Sequence, residues 1–200
     1  MRKTALVVAA VVVGVILGIA SRNADAAAEQ TITTAYLTGY SFFDNTPPGS
    51  ATIAFPNAQH KVAGGTGTYA NPITLAVGWS LVGGKEVPDY EPGTMFYLPF
   101  LHKYVRVEDE CGDITKKKPL PQDGPCHRLD TPGNHADTGA TVWLDVWVDG
   151  KGYSRKTSDN CMSTISKIQT VILNPKSTYT VHKGSITGAC KAKTFYAVTK

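Results

Sequence analysis

Helical periodicity, metal-ligand spacing and strong charge are all missing from this 200-residue chain. No window of about eleven residues carries a convincing helical period. The most helix-like stretch, 159–168, is short, which argues against an all-α fold. The four cysteines are separated by 14, 34 and 28 residues, with no C-x-x-C pair among them, and a zinc site is therefore not expected. Charged residues make up only 18% of the chain. The longest basic run, Lys116-Lys117-Lys118, sits in a Pro/Gly/Asp-rich stretch and reads as a solvated loop tip. Nucleic acid is thereby excluded as an expected partner. No G-x-S-x-G, H-E-x-x-H or phosphate-loop pattern occurs, nor any internal repeat or low-complexity tract.

Only one long apolar run is present. Arg2 and Lys3 precede the sixteen residues from Ala5 to Ala20, and a small-residue exit, Asn23-Ala24-Asp25-Ala26-Ala27-Ala28, follows. That order is the signal-peptide pattern, and the run falls short of the roughly 20 residues a membrane span needs. Residues 1–26 are expected to be a cleaved leader and the remainder a secreted, extracellular protein. Its net charge, once the leader's +2 is taken from the formal +4, is about +2. In an exported protein an even cysteine count implies disulfides. Of the three possible pairings, Cys111–Cys126 and Cys161–Cys190 each close one local loop and are favoured.

What is present is a succession of short strands cut by turns. Strands are expected over 32–38, 50–55, 73–77 and 94–98, with turns at Pro47-Pro48-Gly49, Gly64-Gly65, Gly83-Gly84 and Glu91-Pro92-Gly93. Two strands alternate cleanly. In His102 to Asp109, Val105, Val107 and Asp109 share one face. From Thr141 to Asp149, Val142, Leu144, Val146 and Val148 share one face, and Trp143, Asp145, Trp147 and Asp149 the other. Further strands are expected at 170–173, 179–182 and 194–198. The class is all-β, a barrel or sandwich in one domain over 27–150, with 151–200 as a β-rich extension packed on it.

Two carboxylates stand out. Asp109 ends an inward row just before Cys111-Gly112, where partial desolvation raises a carboxyl pKa and suits it to general-acid work. The alternative is that it caps the turn that follows. Asp145 lies between Trp143 and Trp147, whose faces could stack on sugar rings. The alternative is that both tryptophans bury a second barrel face. Tyr36, Tyr40 and the Phe42-Phe43 pair could line a groove or fill the core. His127 and His135, with Asp130 and Asp137, lie in the 111–139 loop and read as solvated rather than metal-binding.

Thr34-Ala35-Tyr36, Glu91-Pro92-Gly93-Thr94 with Phe96-Tyr97, Val107-Glu108-Asp109-Glu110-Cys111-Gly112 and Leu144-Asp145-Val146-Trp147 follow in order. Over residues 31–150 this series resembles the six-stranded double-psi β-barrel superfamily of expansins, family-45 endoglucanases, barwin-like proteins and the three-aspartate domain of lytic transglycosylases. The resemblance implies that Asp109 and Asp145 line one groove. One would be a general acid on a glycosidic oxygen, and the other would position substrate or act as base. Tyr36 would be a groove aromatic beside Trp143 and Trp147. The chain departs from the pattern in the 35 residues between the two aspartates and in having no early carboxylate of the endoglucanase type near Tyr36. A competing alignment puts Asp137 in the first-aspartate slot.

The expected function is an expansin-like monomer that binds, loosens or weakly cleaves cell-wall polysaccharide, without metal or other cofactor. If it is an enzyme, it is of the glycoside hydrolase or lytic transglycosylase type, with Asp109 as the acid and Asp145 and Trp147 as the substrate contacts. The rival is a secreted, non-catalytic binder of a protein partner, a protease inhibitor or a defence or virulence factor, using the disulfide-tied insert. A structural wall or spore-coat component is a third reading.

Overall fold

A computed structural model describes residues 27–112, 124–127 and 139–198. The leader at 1–26, the Lys116–Lys118 tip, and Asp130, His135 and Asp137 lie outside the described residues. Among the described residues eight strands are formed: β1 (Gln30–Tyr40), β2 (Ile73–Val77), β3 (Trp79–Val82), β4 (Lys85–Pro88), β5 (Met95–Leu98), β6 (Lys103–Glu110), β7 (Val142–Trp147) and β8 (Lys167–Leu173). Two helices accompany them, α1 (Arg155–Ile165) and α2 (Ile186–Ala192). Six strands close a barrel in the order β1-β7-β2-β6-β5-β8, and β3 and β4 form a separate hairpin. The all-β expectation is met by a closed, six-stranded barrel.

The barrel mixes strand directions. β1 runs parallel to β7 and β2 parallel to β6, while the β2–β7, β5–β6, β5–β8 and β1–β8 pairs are antiparallel. Ala35, Leu37, Ile73, Leu75, Val105, Val107, Leu144 and Val146 fill the interior, each 0–1% exposed. Burying such side chains contributes roughly 1.5–3 kcal/mol apiece. One end is closed by α1, which packs on β1 at Gly39; a Cβ there would press on Val148 and Ile165. Both helices begin at a serine cap, Ser154 accepting from Thr157 N at 3.2 Å and Ser185 from Gly188 N at 3.1 Å.

Both expected disulfides are formed, Cys111–Cys126 and Cys161–Cys190. The second ties α1 to α2. Its 29-residue separation corresponds to about 3–4 kcal/mol in the chain-entropy account.

Three strand expectations fail, each for a visible reason. The 50–55 stretch is irregular because its polar groups bond side chains: Asn45 Nδ2 donates to Thr52 O, and Ala54 N donates to Asp109 Oδ1. The 174–184 stretch is a strap rather than a strand. Its carbonyls take Tyr97 OH at Thr180, Tyr104 OH at Lys176, and the buried Lys103 Nζ at both His182 and Gly184. That ammonium is bound by carbonyls rather than by a carboxylate, and burial pulls its pKa down to about 8. The 194–198 stretch joins no sheet either; Tyr196 N donates to Phe100 O, and its ring stacks on His102. The 151–200 segment is thus less β-rich than expected. It is also more than an extension, because β8 is the barrel strand between β5 and β1. The barrel needs a strand from beyond residue 150 to close.

Candidate functional site

Asp109 does not continue the inward row of Val105 and Val107. Leu75 pairs with Val107, but the next residue of β2, Ala76, pairs with Asp109, so Glu108 is an extra residue in β6. This bulge shifts the alternation by one and turns Asp109 to the outer face of the barrel. The consequence is a cross-strand row. Thr38 pairs with Asp145, Asp145 with Ala76, and Ala76 with Asp109. Asp109 and Asp145 flank Ala76 on neighbouring strands, so their backbones stand about 10 Å apart at about 4.8 Å per strand spacing.

Both carboxylates line one open cleft of about 560 Å³, together with Tyr40, Asp44, Thr52, Ala54, Glu86 and Glu110. They differ in environment. Asp109 is 6% exposed and fully engaged. It accepts from Tyr40 OH at 2.7 Å, Ala54 N at 2.9 Å and its neighbour Glu110 N at 3.0 Å. Burial raises its pKa, and these three bonds pull against that rise. Asp145 is part-buried and, among the described residues, accepts one bond, from Thr38 Oγ1 at 2.7 Å. Enclosure pushes its pKa up to about 7, opposed by the Thr38 bond and helped by the charges of Asp44 and Asp109. Thr38 in turn accepts from Trp143 Nε1 at 2.8 Å, which makes a relay from indole to hydroxyl to carboxyl.

Sequence reasoning missed Glu110. Its carboxyl lies in the same cleft and is pushed up to about 7, first by burial and then by the charges of Glu86 and Asp109. Glu86 bonds to it from the β3–β4 hairpin. A carboxyl pair of this kind holds a proton near neutrality. Tyr40, open in the sequence between groove and core, serves both. Its ring is buried, while its hydroxyl orients Asp109 at the cleft and is pushed well above the usual pKa range by that burial. Only the bulge and a barrel-wide register bring these groups together, and neither leaves a local signal.

The aromatic candidates separate. Tyr36 pairs with Trp143 across β1 and β7, and their rings meet edge to face at 5.5 Å beside Asp145. Trp147 lies on the same face but is 3% exposed. It packs edge to face with Tyr40 at 5.2 Å and lines a cavity under Gly64 and Gly65 rather than the carboxylate cleft. Trp147 is a packing residue for the second layer, not a stacking surface beside Asp145. Among the described residues no group of histidine, cysteine and carboxylate side chains is arranged to hold a metal ion. Nor, among them, is any helix long and apolar enough to cross a membrane.

Fold and site together define a disulfide-bonded, closed six-stranded β-barrel whose outer face carries a carboxylate-lined cleft. The chain belongs to the family described as the DDB_G0273701 N-terminal domain, whose model matches residues 32–192. That match runs from β1 through α2, so the family unit takes in β8 as well as the earlier strands. The chain is 34% identical over 164 residues to a Dictyostelium discoideum protein named "Uncharacterized protein DDB_G0273701/DDB_G0273221", covering 78% of this chain. It spans 59% of that relative's length. No solved structure matches.

Proposed function

We propose that the protein is an exported barrel of the double-psi type that binds wall polysaccharide in the Asp109–Asp145 cleft and works on it through Asp145. The observation that carries this reading is the row Thr38–Asp145–Ala76–Asp109. It sets two carboxyls of unlike environment into one open cleft, on the two strands that flank Ala76. Asp145 carries the proton near neutral pH, and Asp109 is the fixed partner that orients Tyr40 and the Ala54 backbone. The two parallel strand pairs, the closed six-strand order and the two disulfides support the double-psi assignment and an oxidising, extracellular location.

The same burial of Asp109 favours a second reading, in which the barrel binds its glycan without cleaving it. With three bonds already accepted, Asp109 has little freedom to exchange a proton with substrate.

Depletion from solution tests the binding claim. Mature protein is expected to be removed by at least one of insoluble cellulose, chitin or peptidoglycan, and an Asp109→Asn/Asp145→Asn double variant to stay in solution about tenfold more. Equal depletion of both proteins, or none of either, would overturn it.

A further inference from the structure

Cys126 and His127, tied back to the end of β6 by the Cys111–Cys126 disulfide, help line a second pocket. Trp79 Nε1 donates to Cys111 O at 3.0 Å, and Gly124 N donates to Trp79 O at 2.7 Å. The short 3-10 turn Pro125–His127 is thus held by the Gly124–Trp79 bond just before it and by the disulfide at Cys126. His127 emerges from it with Nδ1 at 2.5 Å from Asp89 Oδ1. Gly78 makes room for this pair, since a Cβ there would strike both the Asp89 carboxylate and the backbone of His127. The result is a pocket of about 240 Å³ whose lining includes Asp89, Tyr90, His127, Thr141 and Trp143.

We propose that this pocket is a second subsite for a neutral, polyhydroxylated ring, extending the carboxylate cleft past Trp143. The inference rests on the cleft reading above. Its chemistry comes from the pair and the rings. Asp89 takes the Nδ1–H of His127 and fixes the ring, which leaves Nε2 to bond a ligand hydroxyl. Thr141 adds a hydroxyl, and Tyr90 and Trp143 add apolar surface for a ring face. The position follows from β7. Trp143 is two residues from Asp145 on one strand face, about 7 Å along it, and its indole N–H bonds the Thr38 hydroxyl that serves Asp145. A chain held at Asp145 and continued along β7 reaches His127.

Titration calorimetry with soluble cello- and chito-oligosaccharides, from disaccharide to hexasaccharide, tests this. For wild type, affinity is expected to rise with chain length. In His127→Ala and in Asp89→Asn, with unchanged melting temperature, hexasaccharide affinity is expected to fall about tenfold, the value of one lost ligand hydrogen bond and its fixed geometry. Full hexasaccharide affinity in both variants, alongside weakened binding by Asp145→Asn, would overturn the subsite and leave the cleft standing. Failure of wild type to bind any member of either ladder would overturn both.

Discussion

Replacing Asp145 with asparagine is expected to abolish action on the wall glycan while leaving the barrel as stable as before, or more so. Asp145 is enclosed, accepts a bond from Thr38, and holds its proton up to about pH 7. A group of that kind donates a proton below pH 7 and stops as the pH rises through it. Wild-type activity, measured as release of soluble sugar or as wall extension, should therefore fall as pH rises past about 7. Removing a general acid costs typically 10²–10⁴ in rate. The asparagine side chain has no acidic proton to give, so the residual rate of the variant should be low and flat across that range.

Stability should move the other way. The carboxyl's folded pKa is raised above the value near 4 of an unfolded chain, so its contribution is fully present below about pH 4 and is lost as pH rises to about 7. Asparagine carries no charge to desolvate. At pH 7 the variant should melt no lower than wild type, and its advantage should vanish in acid. A variant that melted normally and kept full activity would remove Asp145 from the chemistry. Normal glycan binding with no cleavage by wild type at any pH would leave the non-catalytic reading.

Replacing Glu108 with alanine is expected to be the most damaging single change to the fold. Glu108 is the bulge residue, wholly buried. One oxygen accepts from His60 N at 2.9 Å; the other accepts from Thr74 Oγ1 at 2.7 Å and faces His60 Nδ1 at 2.8 Å. Its carbonyl takes Phe55 N. Alanine would take the acceptor away from the buried Thr74 hydroxyl, the His60 N–H and the part-exposed His60 ring, at about 3–5 kcal/mol for the three bonds together. For a domain of this size that corresponds to a fall of about 10 °C in melting temperature, read by calorimetry. Glutamine keeps the shape and one of the two acceptor oxygens, so it should cost less than alanine, while its NH2 sets a donor where the other oxygen accepted. Because the 50–60 segment also supplies Ala54 N to Asp109, the alanine variant should weaken glycan binding too. Equal melting of the alanine variant and wild type would show that the bulge needs no buried carboxylate.

Asp109 and Trp147 mark how far the sequence could be read. Strands with clean alternation, such as β7, and the locally closing disulfides were legible, because period two and short spacing are local properties. The bulge was not. It exists because Glu108 is drawn toward His60 and Thr74, residues 48 and 34 positions away, and no window around Val107 contains them. A one-residue slip was enough to move Asp109 from the expected interior row to the face it shares with Asp145. The fate of Trp147 was hidden for a similar reason. It lies on the outer face as the alternation requires, but its ring is buried and packs edge to face on Tyr40. The strap at 174–184 has strand-like composition, yet tyrosine hydroxyls and the Lys103 ammonium take the carbonyls a ladder would have used.

Glycan is proposed to sit on the outer-face row. Amide chemical-shift mapping of the ¹⁵N-labelled mature protein, titrated with soluble oligosaccharide, tests it most directly. The largest shifts are expected at Thr38, Ala54, Ala76, Asp109 and Asp145, spreading to Trp143 and His127 as the oligosaccharide lengthens. Shifts confined to the opposite, tyrosine-lined face around Tyr97, Tyr104 and Tyr179, or no shifts at saturating sugar, would contradict it.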